Sequence, residues 1–354
     1  MDFFSIPAVS MAISIVICWA LFGVACSMIH ETVVRTSAER GRFLKSYLLR
    51  QLDDSANDIN WGLELYRQGT ISLLDQDVQR PTDNIAPSVF AASLVAAVAG
   101  SHLVRTKLQA FQQQLATNAD ANPAMQTLQA TLSSIKDPTL YHFKAAILLL
   151  HPSEQLTLLS SVLANAELKA STADSSESLV YTHLVDGLNQ WYQGLSVRLS
   201  TWYKKKTKRR LFWLGLLVAL LLNVDSLQLF TYFNANPQAR QAVIAYYERD
   251  SAYLNNLTHR IDSGTRDTSA LTARDVDSLK TQAKTYIDKM KMLTGSAGLP
   301  IGFAYSVFRE QQRPAFRFYL LKLLGIIVSA FAASLGGPFW FDLIKKAYSI
   351  KSKV

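Results

Sequence analysis

Few polar side chains of this 354-residue chain fall inside its apolar stretches, and chemistry is to be sought among those that do. Asn223 and Asp225 stand just beyond 211–222, twelve positions with no polar side chain. A charge at such a depth costs about 2.5–3.5 kcal/mol at the centre of a span unless it is paired or hydrated. One solution leaves Asp225 near the outer interface, satisfied by water or paired with Arg317 or Lys322, which enter the last apolar segment from the same side. The other makes Asn223 and Asp225 a polar membrane site for an ion, a proton or a partner helix. An intramembrane aspartyl pair with Asp342 is disfavoured. Such a pair must share a proton at one depth, whereas chain order places Asp225 toward the outer face and Asp342 at the inner one. Asp342 is expected to interact with Lys345 or Lys346, or to cap a helix.

Other chemistries have no sequence support. The six histidines show no ligand spacing, so neither a metal nor a cofactor is expected. Cys18 and Cys26 lie eight residues apart in one apolar run, too far along a helix to bridge. The loop 295–302 (GSAGLPIG) lacks the Lys-Ser/Thr that follows a phosphate-cradling loop. Trp191, Tyr192, Trp202 and Tyr203 read as packing and interfacial anchors rather than a ligand box. The net charge of +9 does not point to nucleic acid. Six basic residues at 204–210 (Lys204, Lys205, Lys206, Lys208, Arg209, Arg210) and four at the tail (Lys345, Lys346, Lys351, Lys353) account for ten positive charges. They flank apolar runs, as membrane anchors do.

The elements that position these residues are helices, and the pattern predicts an all-α, polytopic membrane protein with three spans. Residues 6–29 hold 24 positions without a charge and are expected to form an uncleaved first span. Residues 211–231 form the second and 318–341 the third. In the third, Ser329, Ala333 and Gly337 recur every four residues, a spacing of small side chains that lets helices approach closely in lipid. Trp202, Trp340 and the lysines around them are expected as interface anchors. Arg35, Arg40, Arg42, Lys45 and Arg50 follow the first span, so the positive-inside rule predicts the amino terminus outside and 30–210 as a cytoplasmic helical domain. Within it, 179–202 carries an apolar stripe (Leu184, Leu188, Trp191, Leu195, Leu199) that runs on toward the second span. Pro123, Pro138 and Pro152 each predict a helix start. Residues 87–104 are uncharged but alanine-rich; a crossing there would put the two basic clusters on opposite sides, so a helix of the soluble domain is expected. Residues 232–315 are expected as an extracytoplasmic helical hairpin whose second helix buries Leu279, Ala283, Tyr286, Ile287, Met290 and Leu293. A basic cytoplasmic tail, 342–354, ends the chain.

Several runs are similar to an uncharacterised family of bacterial integral membrane proteins. They are Trp202-Tyr203-Lys204 before a span ending in Asn223-Val224-Asp225-Ser226-Leu227, and Ser334-Leu335-Gly336-Gly337-Pro338-Phe339-Trp340-Phe341-Asp342-Leu343. The Pro87-Ser88 helix start and the Leu299-Pro300-Ile301-Gly302 loop also resemble that family, with Gly337 where it has alanine. The resemblance implies a multi-pass protein of the bacterial inner membrane and carries no activity. The residues themselves favour a non-enzymatic membrane scaffold or sensor in the lipid bilayer, joining the cytoplasmic domain to the outer hairpin, with possible self-association through the spans and a possible cytoplasmic protein partner. The alternative is a subunit of an oligomeric ion or solute conduit, and a membrane-embedded enzyme is the least favoured reading.

Overall fold

The computed structural model describes residues 6–75, 80–118, 123–173, 176–263, 273–302 and 316–351. The protein is all-α and multi-pass; among the described residues three helical segments, Pro7–Thr36, Pro87–Thr117 and Phe316–Leu335, are long and apolar enough to cross a membrane, and a bent pair of helices meets the same test. The chain divides into two units, 38–201 and 1–37 with 202–354.

The unit 38–201 is a helical domain built from short pieces. The helices α1 (Pro7–Thr36) and α2 (Glu39–Gln51) are parted by Ala38, which takes a left-handed backbone at φ 47°. After α2, the two-residue strands β1 (Asp53–Asp54) and β2 (Ile59–Asn60) pair antiparallel and lead into α3 (Trp61–Arg67) and α4 (Gly69–Ser72). Then come α5 (Pro87–Ala99), α6 (His102–Asn118), α7 (Pro123–Ser133), α8 (Pro138–Leu149), α9 (Glu154–Ala173) and the first part of α10 (Glu177–Leu222). Pro87, Pro123 and Pro138 open helices, as a residue without an N–H can. Asp137 caps α8 by accepting from the Leu140 N–H at 2.8 Å. Pro152 does not open its helix: Ser153 takes the capping position, its hydroxyl accepting from Leu156 N–H at 3.1 Å, and α9 starts at Glu154.

The core of this unit encloses the apolar face of α5. Phe90, Leu94, Val95 and Val98 are fully buried beside Trp61, Leu65, Phe143, Leu184 and Leu188, and Tyr192 stacks on Phe90 at 4.0 Å. The segment from Pro87 to Thr117 has the length and hydropathy of a span. Its most apolar side chains are nonetheless enclosed by the domain's own helices, which is what a core helix needs. Gly100 and Ser101 also interrupt it between α5 and α6. Beneath the core, Asp54 is fully buried and accepts from Trp61 Nε1, Ser153 Oγ and Asn57 Nδ2 at 3.0–3.1 Å. Asn57 meanwhile exchanges two hydrogen bonds with the His151 backbone. This latch ties the β-turn to the α8–α9 connection.

The other unit comprises α1, the rest of α10, α11 (Ser226–Ala235), α12 (Pro237–Ser263), α13 (Ala273–Ala297), α14 (Phe316–Leu335) and α15 (Gly337–Lys351). The most apolar helix, α1, sits at its centre, with 72% of its most apolar window buried. Large apolar side chains face outward mainly on α10 (Trp213, Leu217, Leu221) and α14 (Leu320, Leu324, Phe331). Those two faces have the apolar composition that lipid requires. Two expected spans are shorter than the sequence suggests. The second breaks at 223–225 with a 57° bend between α10 and α11. The third ends at Leu335, because Gly336 takes φ 79° and starts a new helix with Pro338 in its first turn. The hairpin α12–α13 forms, and it packs along α1. On α13, Tyr286 and Leu293 are buried as expected while Ile287 is 49% exposed; the side chains of Leu279 and Ala283 lie outside the described residues.

If α5 is a core helix, cysteines placed singly at Thr82 and Ser176 react with an impermeant maleimide from one and the same side of the membrane. Reaction from opposite sides would make α5 a crossing.

Candidate functional site

Of the residues singled out by the sequence, Asn223 and Asp225 lie at the break between α10 and α11. Asn223 adopts the left-handed conformation at φ 51°, which asparagine tolerates better than most side chains. The N–H of Asn223 donates to Leu220 O and that of Val224 to Ala219 O at 2.9 Å. These two bonds form a Schellman stop, which caps the last carbonyls of α10. The loop after α13 completes the seal. Gly302 N–H donates to Leu222 O at 2.9 Å, and Asn223 Nδ2 donates to Gly302 O at 3.0 Å.

Asp225 then starts α11. Its Oδ1 accepts from the N–H groups of Leu227 and Gln228 at 2.9 and 3.2 Å, so the carboxylate caps the positive end of that helix. It is 5% exposed. Neither Arg317, which is exposed, nor Lys322, which is partly buried, pairs with it among the described residues. The expected ion pair is replaced by a helix cap, which satisfies the charge with backbone donors. Opposite it lies Gly325 of α14: a Cβ there would come within 1.7 Å of Asp225 Oδ1. The carboxylate fills the space that any other side chain at 325 would take. Next to it Ser226 and Ser329 share a 2.7 Å hydrogen bond, Trp19 Nε1 donates to Ser226 Oγ at 3.0 Å, and the Ser329 hydroxyl also donates to Gly325 O. Helices α1, α11 and α14 are joined by this chain of groups.

The small residues of α14 and α15 each receive a different neighbour. Ser329 takes Ser226, Ala333 lies against Gly215 of α10, and Gly337 lies against Val24 of α1. The stripe thus packs helices of one chain. The aromatic anchors differ from each other in placement. Trp202 is 48% exposed and Lys204 and Lys205 are exposed, with Lys206 partly buried. Trp340 is 8% exposed. Its indole N–H donates to Ala332 O at 2.8 Å and its ring lies 4.9 Å from that of Trp19, so it is a core residue and not the interface anchor expected. Asp342, Lys345 and Lys346 are exposed on α15. The expected Asp342 contact with either lysine does not form among the described residues.

Outside this joint, a shallow groove of about 190 Å³ opens on the 38–201 unit between Trp61, Leu94, Glu154, Gln155 and Trp191. Tyr192 belongs to the packing behind it, and burial pushes its hydroxyl up to about 12. Among the described residues no three His, Cys, Asp or Glu side chains gather to hold a metal ion. Sequence reasoning missed Gly325 and Trp19. The signal for Gly325 was a lone glycine in the apolar run LLGIIVSA, spaced four residues before Ser329.

Gly325→Ala is expected to lower the thermal stability of the detergent-solubilised protein, by about 1–3 kcal/mol for overpacking. Asp225→Ser keeps a capping oxygen on a shorter side chain and should recover much of that loss in the double variant. Additive melting shifts would show that the two positions do not meet. No family model, characterised protein or solved structure matches the chain.

Proposed function

We propose that the protein is a non-enzymatic scaffold of the membrane, in which α10 carries a helical domain on the cytoplasmic side. The observation behind this reading is the 46-residue, unbroken course of α10. At ~1.5 Å per residue it extends ~69 Å, more than twice the ~30 Å of a hydrocarbon core. Its first part contributes Leu184, Leu188, Leu195 and Leu199 to the core of the 38–201 unit, and its last part contributes Leu211 and Ala219 to the other core. The basic run 204–210 lies between, where anionic headgroups would hold it. By the same charge rule the amino terminus is outside and the basic tail inside, as in an inner-membrane protein.

Asn223 and Asp225 serve this scaffold as a joint. Their polar groups are occupied by a helix stop and a helix cap, which supports a structural role over an ion path. The exposed surface of the 38–201 unit is then where a cytoplasmic protein would bind.

The mass of the purified particle and its permeability test the proposal together. A scaffold is expected as a monomer or dimer that leaves vesicles sealed to ions after reconstitution. A closed ring that admits ions or small solutes would replace this reading with that of a conduit subunit.

A further inference from the structure

Helix α1 serves as a ruler for depth within its unit. The Ser14 hydroxyl lies 3.4 Å from the backbone carbonyl of Arg240, near the start of α12. Seven residues farther along α1, the Leu21 carbonyl accepts the phenol of Tyr286 of α13. The ring of Tyr253 of α12 lies under Lys289 Nζ of α13, which is 4.0 Å from the ring centroid. One turn beyond Tyr286 in sequence, Lys289 pairs with Asp250 of α12 at 2.8 Å. Progress along α12 therefore matches progress along α1, and the two helices run parallel. The 16 residues from Arg240 to Asn256 advance ~24 Å in the direction in which α1 runs on to Thr36. Helix α13 runs back, and its Ala297 carbonyl takes the hydroxyl of Tyr232 of α11 at 2.8 Å.

We infer that the far end of α12 lies on the same side of the membrane as the carboxyl-terminal end of α1, so that the hairpin returns through the depth of the bilayer to the cytoplasmic side. The sequence alone placed it outside. The inference rests on reading α1 as a crossing helix. It adds two crossings, made by helices that hydropathy does not select. Their shelter is α1 itself, since Val243, Leu254, Tyr286 and Leu293 are buried in the core that surrounds it. Their outer flank bears Glu248, Arg249, Lys284, Asp288 and Lys291, all exposed. Lipid would penalise each of those charges heavily. That flank consequently meets water or polar protein while the α10 and α14 faces meet lipid. Two buried hydroxyls, those of Tyr246 and Tyr253, have no hydrogen-bond partner among the described residues and fit a hydrated flank.

Side-specific labelling tests this. In a Cys18→Ala, Cys26→Ala background, single cysteines at Ile6, Val33, Gln238 and Asn256 are exposed to an impermeant maleimide in right-side-out and inside-out vesicles. Val33→Cys and Asn256→Cys are expected to react in one orientation, Ile6→Cys and Gln238→Cys in the other. Asn256→Cys reacting alongside Ile6→Cys, or from neither side, overturns the inference and leaves α1 as a span. Ile6→Cys reacting alongside Val33→Cys removes the span itself, and the inference with it. Because both native cysteines are buried, the same set on the native background gives the readout if the cysteine-free chain does not accumulate.

Discussion

A helix that breaks at membrane depth must find new partners for the backbone groups it frees, because hydrocarbon supplies none. Everything around 223–226 answers that requirement. The Schellman bonds of Asn223 and Val224, the Gly302 clamp on Leu222, and the Asp225 cap on α11 occupy the donors and acceptors that the bend releases. The bend in turn decides the rest of the unit: it sets α11 against α14 through Ser226 and Ser329, and Gly325 exists to let the carboxylate in. A group that hydropathy marks as costly is here the means of turning the chain.

The same economy of small side chains governs how α1 is enclosed. A Cβ on Gly23 would stand 3.2 Å from the Gly336 and Gly337 backbone, and one on Gly337 would stand 2.4 Å from Val24. Backbones meet where lipid offers no hydrophobic drive, so dispersion and short hydrogen bonds must hold the bundle. Trp19 and Trp340 then fill the volume beside these close approaches, and both of their indole N–H groups have acceptors. Polar satisfaction and tight packing are supplied by the same few positions.

Local signals made much of the fold legible. Pro123 and Pro138 announced helix starts, and the alanine-rich 87–104 segment, expected in the soluble domain, has its most apolar side chains enclosed by the 38–201 unit. What stayed hidden depends on long-range contacts. From sequence, Asn223 and Asp225 read as residues satisfied by water or by Arg317 or Lys322, or as a polar membrane site; the helix stop and cap that they form depend on the distant Gly302 and Gly325 and were not foreseen. Trp340 near the end of an apolar run looks like an interface anchor until Trp19 is placed beside it. The charges of α12 and α13 suggest a solvated hairpin, and nothing local to them reveals the α1 surface on which their apolar faces lie.

The position of the 38–201 unit in the chain has a bearing on how the protein is made. It interrupts the other unit between its first helix and all the rest. The bonds that α1 forms with Arg240 and Tyr286 join residues 226 and 265 positions apart. At about 5–20 residues per second, α1 waits on the order of 10–50 s after its own synthesis before those partners are made. During that interval the intervening helices, whose core contacts lie within their own unit, already have what they need to fold. Assembly thus begins with a lone apolar helix and a separate, nearly complete helical unit, and the bundle closes around α1 only after that unit has been made.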